Sequence, residues 1–280
     1  MNENHMDQWL NKEVSDQALI EQWPLAGLNS VLHRDNAPAV SSDGAIHPCG
    51  HWLYFVPAVH QEQIDVDGHP KRGQFIPPFN QARRMWAKSV ITYNKDMNVD
   101  DRVEKKSIIS RIDKKTGKSG DLIFLEIKNI YSVQTQIVRE ELQTIVYRDH
   151  QEYDDGIFKS TVEETPQWSQ MHQLGQVELF RYSAITFNGH RIHYDSEYTR
   201  NVEGYPDIIV QGQFIATLIM SKALAAESIA ACKKFTFRAV KPIFVNRKFF
   251  IEGYRAGPNK IVAWAREESG LVNMTAEIEI

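Results

Sequence analysis

One stretch constrains this chain more than any other. From Ile208 to Ala226 it is apolar almost all the way round a helix. Gln213, Thr217 and Ser221, at four-residue spacing, form its one narrow polar stripe. A helix with so little polar face has to be buried on nearly every side. Four strand-like runs follow it: Lys234–Val240, Lys248–Arg255, Lys260–Glu267 and Leu271–Ile280. The last alternates, with Val272, Met274, Ala276, Ile278 and Ile280 on one face and Asn273, Thr275, Glu277 and Glu279 on the other. Ala256-Gly257-Pro258-Asn259 and Glu268-Ser269-Gly270 supply the turns. A further strand, Leu179–Phe187, is expected before the helix. One strand, one buried helix and four antiparallel strands make an α+β plan whose sheet must curl around the helix.

That is the hot-dog arrangement, and 280 residues are enough for two of them. The first half predicts strands at Leu122–Ile130 and Ile137–Tyr147, joined to what precedes them by a turn at Asp113–Gly120. The Gly117-Lys118-Ser119 in that turn is not a phosphate loop: its leading glycine position holds Ile112, and no helix follows. Near the N-terminus, Asp16 is expected to cap a short helix carrying Ala18, Leu19 and Ile20. Pro24 opens another with Leu25, Leu28, Val31 and Leu32 on one face. Between His33 and Pro78 repeated prolines and glycines forbid a long helix. A strand at Trp52–Val56 is expected inside that region. Met85–Val90 is the poor, short substitute for the central helix of this half. The expectation is a double hot dog with a degenerate first half: residues 1–150 with a helical lead-in, a polar and acidic linker at 151–167, and residues 168–280.

Composition narrows the function. A net charge of -4 argues against a general nucleic-acid binder. Two cysteines, Cys49 and Cys232, make neither a disulfide framework nor a cysteine zinc site and fit a cytoplasmic protein. The N-terminus shows neither a basic region nor an apolar one that would make a secretory signal. No run of ~18 apolar residues is present to cross a membrane.

The densest chemistry lies in Phe187-Asn188-Gly189-His190-Arg191-Ile192-His193-Tyr194-Asp195. His190, His193 and Asp195 are potential metal ligands, but loop spacing fixes no geometry and no metal is expected. The stretch resembles the catalytic loop of the MaoC-like (R)-specific enoyl-CoA hydratases and hydroxyacyl-thioester dehydratases type 2. The general pattern Asp-x-Asn-Pro-(Ile/Leu/Val)-His places Asn188 where the aspartate stands and His193 at the histidine. The subgroup with Phe-Asn-x-His-x-Ile-His-Tyr, which includes mesaconyl-CoA and itaconyl-CoA hydratases, is closer. Further blocks match in order: His51-Trp52-Leu53-Tyr54-Phe55, Asp67-Gly68-His69-Pro70, Arg72-Gly73, Pro77-Pro78, Arg83-Arg84-Met85-Trp86, Ile145-Val146-Tyr147-Arg148, Tyr205-Pro206 and Val210-Gln211-Gly212.

The resemblance implies a double hot dog and an acyl-CoA substrate. It implies no cofactor, since coenzyme A is part of that substrate. It assigns acid/base catalysis to His193, orientation of water or substrate to Asn188, and the oxyanion donor to the Gly212 N–H at the start of the buried helix. His190 and Arg191 are expected near a substrate carboxylate, and Arg238 and Lys241 near the coenzyme phosphates. Asp195 is read as a cap or turn former, with an orienting role on His193 as the alternative. The expected reaction hydrates itaconyl- or mesaconyl-CoA to citramalyl-CoA. The alternatives are a 3-hydroxyacyl-thioester dehydratase of fatty-acid metabolism, a non-catalytic acyl-thioester binder and a hot-dog thioesterase. A homodimer of chains is plausible because hot-dog sheets pair at their edges.

Overall fold

The computed structural model describes residues 6–117, 120–229 and 231–280. Ten antiparallel strands form one continuous sheet. The first five are β1 (Glu13–Leu19), β2 (Arg83–Tyr93), β3 (Arg102–Gly117), β4 (Gly120–Val133) and β5 (Gln136–Arg148). The second five are β6 (Trp168–Gln173), β7 (Lys234–Ala239), β8 (Lys248–Gly257), β9 (Lys260–Glu267) and β10 (Val272–Glu279). The strand order is β1-β3-β4-β5-β2-β7-β10-β9-β8-β6. Each half therefore has the same internal order, and the two meet where β2 pairs β7 from Lys88↔Arg238 to Thr92↔Lys234. This is the α+β double hot dog expected. Residues 149–167 carry only a single helical turn, Asp155–Ile157.

Between β6 and β7 lie α2 (Gln176–Thr186), α3 (Ser196–Asn201) and α4 (Gly212–Glu227). The long helix α4 buries Phe214 through Ser221 together with Ala223 and Leu224, and it packs on β8, β9 and β10. Its polar stripe is satisfied rather than solvated. Thr217 and Ser221 each donate to the carbonyl four residues back. Thr217 Oγ also meets the Tyr182 hydroxyl, and Ser221 Oγ meets His47 Nε2. The equivalent position in the first half, between β1 and β2, holds the short helix α1 (Gln22–Asn29), two helical turns and irregular chain. With no helix to cover it, part of the inner face of β3, β4 and β5 lines a cavity.

Four expectations are corrected. The segment around Asp16 is a strand, because its backbone completes the open edge of β3, with Asp16 opposite Lys105. Trp52–Val56 is no strand. Gly50–Leu53 is a helical turn, and Phe55 takes φ +57. His51 to Tyr54 are all buried, whereas a half-exposed strand would alternate. Met85–Val90 is the body of β2. Leu179–Phe187 is helix, not strand. Glu178 accepts the Gly175 N–H at its start, and Leu179, Tyr182, Ser183 and Thr186 recur at helical spacing on its buried face. Lys118 and Ser119, expected in a turn, lie outside the described residues.

Candidate active site

The reactive loop leaves the end of α2. Phe187 turns left-handed at φ 49, and the Asn188 N–H donates to the Ser183 carbonyl at 2.9 Å, closing the helix. Asn188 Oδ1 accepts the His190 N–H at 3.1 Å. A helical turn, Arg191–His193, then places His193 inside the protein. Asn188, His190, His193 and Gly212 all line one cavity of about 770 Å3 between the two halves. The bare face of the first half supplies Ile127, Asn129, Gln143 and Ile145 to the same cavity.

His193 is buried, and its Nδ1 lies 2.7 Å from the Ile209 carbonyl. A carbonyl only accepts, so Nδ1 carries the proton and Nε2 is left with the lone pair. Burial lowers its pKa to about 4, with the Ile209 bond pulling the other way. The ring is therefore neutral near pH 7, as a base must be. The Asn188 oxygen is engaged by the His190 N–H, so what Asn188 has left to offer is its amide donor. As the first residue of α4, Gly212 has no helical partner for its N–H. A Cβ added at Gly212 would meet nothing within 4 Å, so the glycine is not there for packing against the sheet.

The remaining expected residues fare differently. His190 is buried on the cavity wall, its ring 5.4 Å from His193. Arg191 is turned away. It pairs with Asp195 at 2.7 Å, donates to the Val66 carbonyl and covers the Tyr198 ring. Arg238 is exposed on β7 and is absent from the cavity wall. Lys241 reaches the cavity, but its ammonium is held by Glu267 at 2.6 Å and Asp155 at 2.9 Å. Arg191 and Lys241 are thus each held by carboxylates and are not free cations for the substrate. Asp195 caps α3 by accepting the Tyr198 N–H and does not contact His193.

Two groups were undervalued by the sequence reading. Arg84 on β2 lines the cavity, and no carboxylate pairs with it among the described residues. It lies near enough to His69 and His190 to help push both histidines below their ordinary range. The second is the turn Asp67-Gly68-His69, quoted above only as a matching block. Its contact partner is the reactive loop itself, 120 residues further on, which local pattern cannot reveal. Asp67, His69 and His190 each bring one ligand-type atom within 4.8 Å of the others. Asp67 and His69 already hydrogen-bond each other at 2.9 Å, and no metal is assigned to them.

Residues 47–245 match the family described as hydroxyacyl-thioester dehydratase type 2. The chain is 34% identical to the mesaconyl-C(4)-CoA hydratase of Chloroflexus aurantiacus over 279 residues, covering 97% of this chain and 96% of that protein. A solved MaoC-like dehydratase from Phytophthora capsici aligns at TM-score 0.71 and 14% identity, covering 98% of this chain and 96% of that one. A Mycobacterium tuberculosis protein described as a double hotdog fold aligns at TM-score 0.60 and 11% identity over 96% of each chain. The two structural matches carry the fold alone. With its neutral buried histidine facing a cavity beside an open helix N-terminus, the chain belongs to the hydroxyacyl-thioester dehydratase type 2 family and is a hydro-lyase of acyl thioesters.

Proposed function

We propose that this chain adds water to the double bond of a short, branched, carboxylated enoyl-CoA, interconverting itaconyl- or mesaconyl-CoA with citramalyl-CoA. His193 Nε2 takes a proton from water as the water oxygen bonds to the substrate carbon. In mesaconyl-CoA the double bond is conjugated with the thioester, so the π electrons move toward it, and the charge on its oxygen is met by the Gly212 N–H at the positive end of α4. Asn188 orients substrate or water through its amide donor. Coenzyme A enters as part of the substrate, and no separate cofactor is invoked. The first half supplies the wall against which the acyl group lies, and the second half supplies the catalytic loop and α4. The reaction runs in the cytoplasm, whose reducing conditions suit free thiols at Cys49 and Cys232.

Arg84 carries the choice of substrate. Itaconyl and mesaconyl groups bear their carboxylate on a carbon of the double bond, so a matching cation has to stand beside the proton-transfer group. Arg84 is an unpaired cation on the cavity wall near His69 and His190, in contrast to the occupied Arg191 and Lys241. The 34% identity to a mesaconyl-C(4)-CoA hydratase over nearly the whole chain supports the same reading.

The test is Arg84→Gln assayed on mesaconyl-CoA and on crotonyl-CoA, which lacks the carboxylate. A charge-assisted pair contributes roughly 1.5–3 kcal/mol, so kcat/KM for mesaconyl-CoA should fall about 10- to 100-fold. The value for crotonyl-CoA should not fall. Equal losses on both would overturn the assignment.

A further inference from the structure

The loop Val66–Pro70 comes from the first half, yet it is locked onto the reactive loop of the second. The Arg191 N–H donates to the Asp67 carbonyl at 2.9 Å, and Arg191 Nη1 donates to the Val66 carbonyl at 3.1 Å. The backbones meet at two glycines. A Cβ on Gly68, where φ is +92, would lie 1.8 Å from the Gly189 carbonyl oxygen, and one on Gly189 would lie 2.9 Å from the Gly68 oxygen. Only glycine on both sides allows this approach.

What the lock delivers is His69. Its ring sits 4.2 Å from that of His190, which in turn sits 5.4 Å from that of His193, and all three line the cavity. Asp67 stands behind it. The carboxylate accepts the His69 N–H as well as the ring nitrogen Nδ1, the latter at 2.9 Å. The carboxylate is held at about 2, with the His69 hydrogen bond as the main lowering influence against burial, so it is ionised. An ionised carboxylate on Nδ1 fixes the tautomer with Nε2 free, and it stabilises an added proton on the ring.

We propose that Asp67 and His69 form a second proton-carrying site, which with His193 brackets the substrate double bond. The inference rests on the hydratase reading above. In that reading Asn188 cannot carry a proton, so a chain with His193 alone lacks a second acid/base group. A water O–H bond breaks and its proton goes to His193 Nε2, while the water oxygen bonds to one alkene carbon. In a substrate whose double bond is conjugated with the thioester, such as mesaconyl-CoA, the π pair passes toward the thioester oxygen. Protonated His69 gives its Nε2 proton to the other carbon, and the carbonyl re-forms. The proton on His193 then returns to His69 by way of His190 or solvent, leaving one water added.

The charged and titratable groups around His69 set when it holds that proton. They are Asp67 and Arg72 from its own segment, Arg84 from β2, and His190 and His193 from the facing loop. Burial and Arg84 hold it low, and Asp67 pulls it up. A substrate carboxylate seated on Arg84 removes one of the depressing charges, so the ring takes up its proton as the substrate arrives.

His69→Gln and Asp67→Asn are compared with wild type and with His193→Ala, using the enoyl-CoA that wild type prefers and measuring kcat, KM and the pH profile. His69→Gln should lower kcat at least ~100-fold with KM nearly unchanged, and the fall of kcat at alkaline pH should vanish. Asp67→Asn, nearly isosteric, should lose about tenfold and move that alkaline fall to lower pH. Wild-type kcat in both variants, or a lowered kcat with an unchanged profile, would overturn the proposal. His193→Ala separates the two failures. If it is inactive while His69→Gln is fully active, only this second site is wrong. If it also turns over, the hydratase reading itself has failed.

Discussion

Gly68→Ala tests how the two halves are joined at the catalytic loop. Two costs add at this position. An L-residue at φ +92 stores about 1–3 kcal/mol of backbone strain. The new methyl would lie 1.8 Å from the Gly189 carbonyl oxygen, a fixed backbone atom, so the loops must separate by more than an ångström. Separation removes the Arg191 N–H bond to Asp67, a net loss near 1 kcal/mol. The local penalty is therefore about 2–4 kcal/mol, enough to leave the loop undocked much of the time. The added methyl meets only loop backbone and no core side chain, so the global melting temperature should fall by only a few degrees. Turnover should fall at least tenfold, because His69 and His190 lose their relative placement. Paired kcat and thermal-melt measurements check this. Wild-type turnover with an unchanged melting temperature would refute the reasoning.

Three other outcomes follow from the same geometry. Burial lowers His47 to about 3 and lowers His51, His172 and His193 to about 4. The unfolded chain protonates these rings near 6.5, so their contribution is complete above that pH and disappears as pH falls toward 4. At about 3 kcal/mol for His193 alone, denaturant titrations should show steep loss of stability between pH 6 and 4, and a flat profile there would contradict the burial assigned. Arg191→Ala should leave the preference between mesaconyl- and crotonyl-CoA unchanged, because its guanidinium already serves Asp195 and the Val66 carbonyl; a selective loss on mesaconyl-CoA would return it to the site. Gly253→Ala should destabilise by roughly 1–3 kcal/mol, since the new methyl would meet the Trp168 ring at 2.4 Å and the Val262 carbonyl at 2.7 Å. A thermal melt within a degree of wild type would count against that packing.

The second half was legible because its signals are local and strong. An apolar run without a polar face has one fate, and β10 alternates so cleanly that only Asn273 is buried on the wrong side. The first half was harder for a physical reason. Its helix is missing, and the elements that take its place are shaped by partners far away in sequence. Trp52 and His51 turn in toward the buried Glu141, and β1 is a strand only because β3 offers an edge. The α2 segment misled because aromatic and β-branched residues suit a strand, while the Gly175–Glu178 bond and the helical spacing decide otherwise. At the site, His193, Asn188 and Gly212 were readable as a pattern. Arg191 and Lys241 were chosen by charge and by place in the sequence, and neither says whether a carboxylate already occupies the cation, as Asp195 and Glu267 do here. Arg84 and His69 needed three dimensions, since neither lies near the reactive loop in sequence.

The central claim is that this cavity hydrates a small carboxylated enoyl-CoA. The most direct measurement is initial-rate loss of enoyl absorbance with mesaconyl-CoA, itaconyl-CoA, crotonyl-CoA and one long-chain enoyl-CoA, with products identified by mass. Water addition to the carboxylated substrates at a kcat/KM at least tenfold above crotonyl-CoA, yielding citramalyl-CoA, is the predicted result. Preference for crotonyl- or long-chain enoyl-CoA would contradict the account.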